Sequence, residues 1–216
     1  MRVRGDRVEG RRHDGGPAPG RKARRRRLLA YGIPSAILVV VAVIAAVTSL
    51  SGHGEGRPAP AGTVRAGAAR TTLLQPGEPV PDFSAPGLAG GRVTWTEARA
   101  GDPAVLVVWA SWCPHCQREL PVVARVARGF PGVRVVTVTT AIGAHPGPSP
   151  EEFVRSQHLV FPTAVDDAAS TLAAALGVRS FPTVFWVGKD GRVTAVTEGE
   201  RGEAAVRAAF QALASA

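Results

Sequence analysis

The chain's two cysteines stand two residues apart in Trp109-Ala110-Ser111-Trp112-Cys113-Pro114-His115-Cys116. Four chemistries use such a pair. A structural bridge would close a ring of four residues and contribute only about 2 kcal/mol, against about 4.7 kcal/mol for a hundred-residue loop. A closed zinc site needs about four ligands, and no second Cys or His pair with ligand spacing occurs. Covalent haem attachment requires His directly after the second cysteine, where Gln117 stands. Reversible dithiol–disulfide chemistry remains, and its reactive species is the thiolate.

That chemistry needs an element that delivers the sulfurs and one that stabilises negative charge. Val105-Leu106-Val107-Val108 just before the motif reads as a strand buried on both faces. Helical spacing follows from Cys113 to about Arg128, with Leu120, Val123 and Val126 on one side. The sulfurs therefore sit at a strand-to-helix junction. Orphan N–H groups and the helix dipole at that junction favour an anion. Cys113, exposed at the helix start, is the expected nucleophile. Cys116, one turn in and buried, is expected to resolve a mixed disulfide by attacking Cys113. His115 inside the ring would tune the pair by placing an imidazolium near the Cys113 thiolate.

Strand and helix signals alternate through the rest of the domain. Arg92-Val93-Thr94-Trp95, Val133–Thr139 and Thr183–Val187 read as strands, and Ala141–Pro150 as a loop. Pro150-Glu151-Glu152 opens a short helix, with Pro in the first turn and acids at the positive end. Ala168–Leu176 is a helix stopped by Gly177. Lys189-Asp190-Gly191-Arg192 is a hairpin turn, Val193–Thr197 returns antiparallel, and Glu203–Ala214 is a closing helix. The sum is an α/β domain, a mixed sheet with helices on both faces.

Charge and hydropathy place the chain. Residues 2–27 hold 11 of the 26 Lys+Arg and 3 of the 17 Asp+Glu, so the formal net charge of +9 is concentrated there. Basic residues interleaved with aromatics are absent, which argues against nucleic acid. Leu28–Leu50 is 23 residues without a charge. As a helix it would span roughly 34 Å, against a hydrocarbon core of about 30 Å. The adjoining Arg24–Arg27 cluster should stay cytoplasmic. A cleaved signal peptide would have an apolar run of about 7–15 residues and a small-x-small site, which Val47-Thr48-Ser49-Leu50-Ser51 matches poorly. The expected organisation is a basic cytoplasmic tail (1–27), a transmembrane anchor (28–50), a flexible Gly/Pro/Ala/Arg-rich linker (51–77) and an extracytoplasmic domain (78–216).

The residues also carry a resemblance. Val107–Cys116 resembles the active-site segment of the thioredoxin superfamily, and Cys116-Gln117-Arg118-Glu119-Leu120-Pro121 is similar to the C-x-x-E-x-P pattern of membrane-tethered TlpA/ResA-like proteins. Gly177-Val178-Arg179-Ser180-Phe181-Pro182-Thr183 and Gly188–Val193 resemble that superfamily's proline segment and terminal hairpin. The likeness covers roughly residues 78–214. It implies a thioredoxin-like fold, a cis Pro182 facing the cysteines, and Phe181 backbone exposed to pair with a bound peptide. A second Phe-Pro-Thr, at 161–163, is assigned instead to the insert between central strands that TlpA/ResA-like proteins carry. Trp112 and Pro114 complete the expected docking and tuning set.

Val107 stands where thioredoxins carry a buried Asp, so Glu119 becomes the candidate proton relay; the plainer reading is a solvated helix residue. Trp95 and Trp186 read as core, and His145 and His158 receive no role.

The function expected is thiol–disulfide exchange with exported protein thiols or disulfides, needing no bound cofactor or metal, and a membrane redox partner that recycles the dithiol. The Pro-His pair is similar to that of DsbA-type oxidases, while the surrounding domain resembles families rich in reductases. Each tenfold gain in thiolate stabilisation is worth about 1.4 kcal/mol and makes the couple about 30 mV more oxidising. Oxidase is the reading taken. The alternatives are a reductase for apocytochrome c or other exported thiol proteins, and a copper-binding chaperone using the two thiols and a histidine.

Overall fold

Every residue of β3 (Ala104–Trp109) is buried, because this strand is the middle of a sheet covered on both sides. A computed structural model describes residues 62–215. In it β3 pairs in parallel with β4 (Arg134–Thr139) and antiparallel with β6 (Thr183–Val187). Outside these lie β5 (Thr163–Val165), parallel to β4, and β7 (Val193–Glu198), antiparallel to β6. The five-stranded order is β5-β4-β3-β6-β7. A separate antiparallel pair joins β1 (Ser84–Pro86) to β2 (Arg92–Thr94).

The two-residue period of β3 divides the core. Val105, Val107 and Trp109 face a cluster with Leu120, Val123, Phe153 and Phe210. These come from α2 (Pro114–Ala127), α3 (Pro150–Ser156) and α5 (Glu203–Ala214). Leu106 and Val108 face the other cluster, with Trp95, Leu172, Leu176 and Phe185. There the helices are α1 (Trp95–Arg99) and α4 (Thr171–Leu176). Pro150 starts α3 behind a capping box: the Glu152 N–H donates to Ser149 Oγ at 3.1 Å, and the Ser149 N–H donates to Glu152 Oε2 at 2.9 Å. Gly177 ends α4 at φ 71°, a conformation in which a side chain is strained.

Two expectations change. Trp95 does not end a strand. It starts α1, and its buried ring stacks on Phe83 at 6.0 Å. Residues 62–77, assigned to the flexible linker, lie along the domain. The Arg70 N–H donates to Ala174 O at 2.9 Å, Leu74 N–H to Leu176 O at 3.0 Å, and Gly77 N–H to Val193 O at 2.8 Å. Leu74 is 1% exposed, and a Cβ on Gly177 would meet Thr72 O at 2.0 Å. The polar composition of the segment hides the anchor, Leu73-Leu74, which fills the core beside α4. Among the described residues no helix is long and apolar enough to cross a membrane; Leu28–Leu50 lies outside them.

If this strap is part of the folded unit, Leu74→Ala lowers unfolding free energy by about 2–4 kcal/mol in urea denaturation. A loss below about 1 kcal/mol would mean the strap contributes little.

Candidate active site

The Val108–Thr183 pairing of β3 and β6 sets the site, because it brings the residues before Thr183 alongside the chain leaving β3. After Trp109 the backbone turns through Ala110–Trp112, and Cys113 becomes the N-cap of α2 with φ −79° and ψ 117°. Pro114 occupies the first helical position, where its missing N–H leaves no bond unmade. The Cys113 N–H donates to Ala110 O at 3.1 Å, and Gln117 Nε2 donates to Ser111 O at 2.7 Å. Gln117 thus ties the turn to α2, a role its sequence position did not announce.

Cys113 lies at the helix start as expected, but it is 5% exposed rather than open to solvent. The Phe181–Pro182 loop accounts for the cover: Cys113 Sγ–H donates to Phe181 O at 3.5 Å. Phe181-Pro182 is the cis peptide bond among the described residues, and Phe161-Pro162 is not cis. Cys116 is fully buried at 0%. Both cysteines are free thiols. Burial pushes the Cys116 thiol well above the ordinary range, and the adjacent Cys113 sulfur adds to the effect against a backbone hydrogen bond with Ala110.

Trp112 joins this surface to a loop. Its Nε1–H donates to Ala141 O at 2.8 Å, and its ring meets Phe181 edge-on at 6.1 Å and His145 at 4.4 Å. A Cβ on Gly147 would stand 2.8 Å from Trp112 Cα and Cβ, so the loop 141–149 packs closely against the tryptophan. His145, given no role from sequence, thus packs against Trp112, the residue before Cys113. No spacing rule would have found it, because the contact crosses from one loop to another.

The side chain of His115 is 61% exposed, and its Nδ1 lies 3.1 Å from Glu200 Oε2. Arg118 binds the same carboxylate, with Nη2 2.7 Å from Oε2. Arg118 hydrogen bonding, followed by that of His115, holds the Glu200 carboxyl below the usual range. Reciprocally, Glu200 raises the Arg118 guanidinium above its ordinary value. Arg118 is one turn past His115 and was visible as a helix neighbour; Glu200, on the turn between β7 and α5, was not.

Glu119 is not a solvated helix residue. It is 1% exposed, and its Oε2 accepts from the Arg201 N–H at 3.2 Å and the Gly202 N–H at 3.4 Å. Its Oε1 has no partner among the described residues, and Glu119 lines a cavity of about 190 Å³ with Val123, Val184, Trp186 and Thr197. Val107, at the position of the thioredoxin Asp, is fully buried in the apolar core. Trp95 and Trp186 are core residues, as expected.

A mixed sheet with helices on both faces, carrying one thiol under the Phe181–Pro182 loop and a second fully buried at a strand-to-helix junction, defines a thioredoxin-like domain. A model of the Redoxin family matches residues 75–213, and the chain belongs to that family. It is 30% identical over 128 residues to the thiol-disulfide oxidoreductase ResA of Geobacillus thermodenitrificans, covering 59% of this chain and 72% of the relative. Among solved structures it is similar to Mycobacterium tuberculosis DsbF, with 33% identity and a TM-score of 0.53 over 61% of this chain and 94% of that one. A secreted Mycobacterium tuberculosis disulfide oxidoreductase homologous to Escherichia coli DsbE has 26% identity and a TM-score of 0.54, over 61% of this chain and 96% of that one. The chain is a thiol-disulfide oxidoreductase of the ResA/DsbE type.

The buried Cys116 gives the dithiol form a signature at high pH. Its folded value lies above its unfolded one, so above about pH 9 the unfolded chain releases a proton that the folded chain keeps. Stability of the reduced protein then falls with pH at about 1 kcal/mol per unit. Under reducing conditions, urea midpoints from pH 8 to 10 should fall more steeply for wild type than for Cys116→Ala. Parallel series would contradict the burial effect.

Proposed function

We propose that this chain is a membrane-anchored oxidoreductase facing the extracytoplasmic space, which donates its Cys113–Cys116 disulfide to exported protein thiols. The observation that carries the reading is the placement of Cys113. Cys113 is the N-cap residue of α2, its sulfur touches the Phe181 carbonyl, and it shares the start of that helix with His115 and Arg118. Orphan helix N–H groups and nearby cations favour its thiolate. A dithiol stabilised in this way gives up its disulfide readily.

In the forward direction a partner thiolate attacks Cys113 Sγ. A Cys113–partner bond forms, the Cys113–Cys116 bond breaks, and Cys116 leaves as a thiolate that must take a proton. Glu119, three residues further along the same helix face, is the proposed donor; its unpaired Oε1 and buried position fit that duty. A second partner thiolate then attacks the partner sulfur and releases Cys113 as the stabilised thiolate. The partner is oxidised by two electrons and the dithiol reduced. A membrane redox partner that accepts those two electrons closes the cycle. Phe181, Pro182, Trp112 and Pro114 form the docking surface around Cys113.

The anchor rests on Leu28–Leu50 following Arg24–Arg27. An extracytoplasmic domain is in keeping with a similar protein described as secreted. The reverse direction, reduction of apocytochrome c or another exported disulfide, draws its support from the same Glu119, which can equally take the Cys116 proton.

The reduction potential of the full chain, equilibrated against glutathione, separates the two. An oxidase gives a value near −120 mV, at the strongly oxidising end of the scale; a value near or below about −250 mV would make the protein a reductase. Cys113→Ser should abolish exchange. Challenged with a disulfide-bonded partner, Cys116→Ala should hold it on Cys113 as a stable mixed disulfide, because the thiolate that would resolve it is missing; the species is visible on a non-reducing gel and lost on reduction. A trapped species on Cys116 in Cys113→Ser instead would reverse the assigned roles.

A further inference from the structure

The imidazole of the Pro-His pair is not alone. Nδ1 of His115 lies 3.1 Å from Glu200 Oε2 and 3.0 Å from Arg118 Nη2. Arg118 in turn clasps both carboxylate oxygens, with Nε 3.0 Å from Oε1 and 2.9 Å from Oε2, and Nη2 2.7 Å from Oε2. Among the described residues, the charged groups bonded to the ring are Arg118 on its own helix and Glu200 on the β7–α5 turn. One nitrogen cannot both accept from Arg118 and donate to Glu200. A neutral ring accepts the Arg118 N–H at Nδ1. A protonated ring donates Nδ1–H to Glu200, and Arg118 keeps the carboxylate as its other partner. In both states a single carboxylate faces the cationic groups of the first two turns of α2. Arg118 also interacts electrostatically with Cys113, a smaller contribution to its raised guanidinium value than that of Glu200.

Glu200 is held where it is. The two residues after it donate their N–H groups to Glu119 Oε2. The residue before it, Gly199, donates its N–H to Pro182 O at 2.8 Å. Ser180 Oγ–H binds Glu198. The turn is therefore tied to α2 on one side and to the Phe181–Pro182 loop on the other, which places the Glu200 backbone beside His115 and Arg118, and those two side chains hold its carboxylate.

We propose that Glu200 is a positioning residue for the dithiol: it orients the His115 ring and the Arg118 guanidinium and offsets their positive charge, so the Cys113 thiolate is stabilised less than the Pro-His pair alone would stabilise it. The inference rests on the tuning role proposed for His115. It makes the potential a property of two distant segments, one carrying the motif and the other moderating it.

The test is the glutathione equilibrium constant of the purified full-length chain and three variants. Glu200→Gln keeps the shape and removes the charge. It should shift the constant about tenfold toward the dithiol, about 30 mV more oxidising. In the His115→Ala background the same substitution should shift it by less than about threefold, the non-additivity expected of groups acting through each other. If His115→Ala shifts the constant while Glu200→Gln moves it less than twofold, or toward the disulfide form, the role of Glu200 is overturned and that of His115 stands. If His115→Ala leaves the constant unchanged, the tuning role of His115 falls, and this inference with it. A purely structural role for Glu200 would lower the urea midpoint without moving the constant.

Discussion

The β3–β6 register is the constraint on which the site depends. Val108 opposes Thr183, and both strands are buried along their whole length. A slip of one residue would turn Val105, Val107 and Trp109 from the α2–α5 side of the sheet to the α1–α4 side. Both sides are close-packed, so neither set has anywhere else to go. With the register pinned by apolar packing, Thr183 Oγ1–H closes the preceding turn by donating to Ser180 O at 2.8 Å. The Phe181 carbonyl then falls against Cys113 as a consequence of the pairing of two strands that carry no reactive group. The chemistry is positioned by residues that take no part in it.

Burial then divides two chemically identical groups. Cys113 sits where β3 hands over to α2, with the unpaired N–H groups of the helix start beside it. Cys116, one turn deeper, is in the apolar cluster with Leu120 and Val123. Removing a thiolate from water costs free energy, so the inner sulfur is disfavoured as an anion. The same helix buries Glu119 a turn later. The β7–α5 turn satisfies one of its oxygens and leaves the other buried with no partner among the described residues. A buried carboxyl with one unpaired oxygen is costly to keep, which is the physical reason to connect it with proton movement at Cys116.

Much of this was legible in the chain because the decisive signals are local. The apolar run 104–109, the Asp-Gly hairpin, Pro150 at a helix start and Gly177 at a helix end each declare their element within a few residues. The element bounds follow them closely, and Glu203–Ala214 is a helix as read. The Cys-x-x-Cys spacing at a strand-to-helix junction was enough to place both sulfurs. Long-range packing was not legible. Leu73-Leu74 looked like part of a tether because its partners, α4 and the start of β7, lie more than a hundred residues away. Cys113 looked exposed because its cover, Phe181, is 68 residues distant. The His145 contact with Trp112 and the Glu200 contacts with His115 and Arg118 cross between segments in the same way. Glu119 is the instructive intermediate. Its position on the helix was readable, but its burial depends on where the β7–α5 turn lands.

The division of labour between the two sulfurs is tested most directly by mapping alkylation of the reduced full-length chain at pH 7 with a small haloacetamide, following each cysteine by peptide mass. Cys113 should be modified first and Cys116 at least about a hundredfold more slowly, because Cys116 is fully buried and its thiol is pushed up by burial. Equal rates, or faster modification of Cys116, would contradict the assignment of Cys113 as the attacking sulfur and with it the exchange sequence built on that residue.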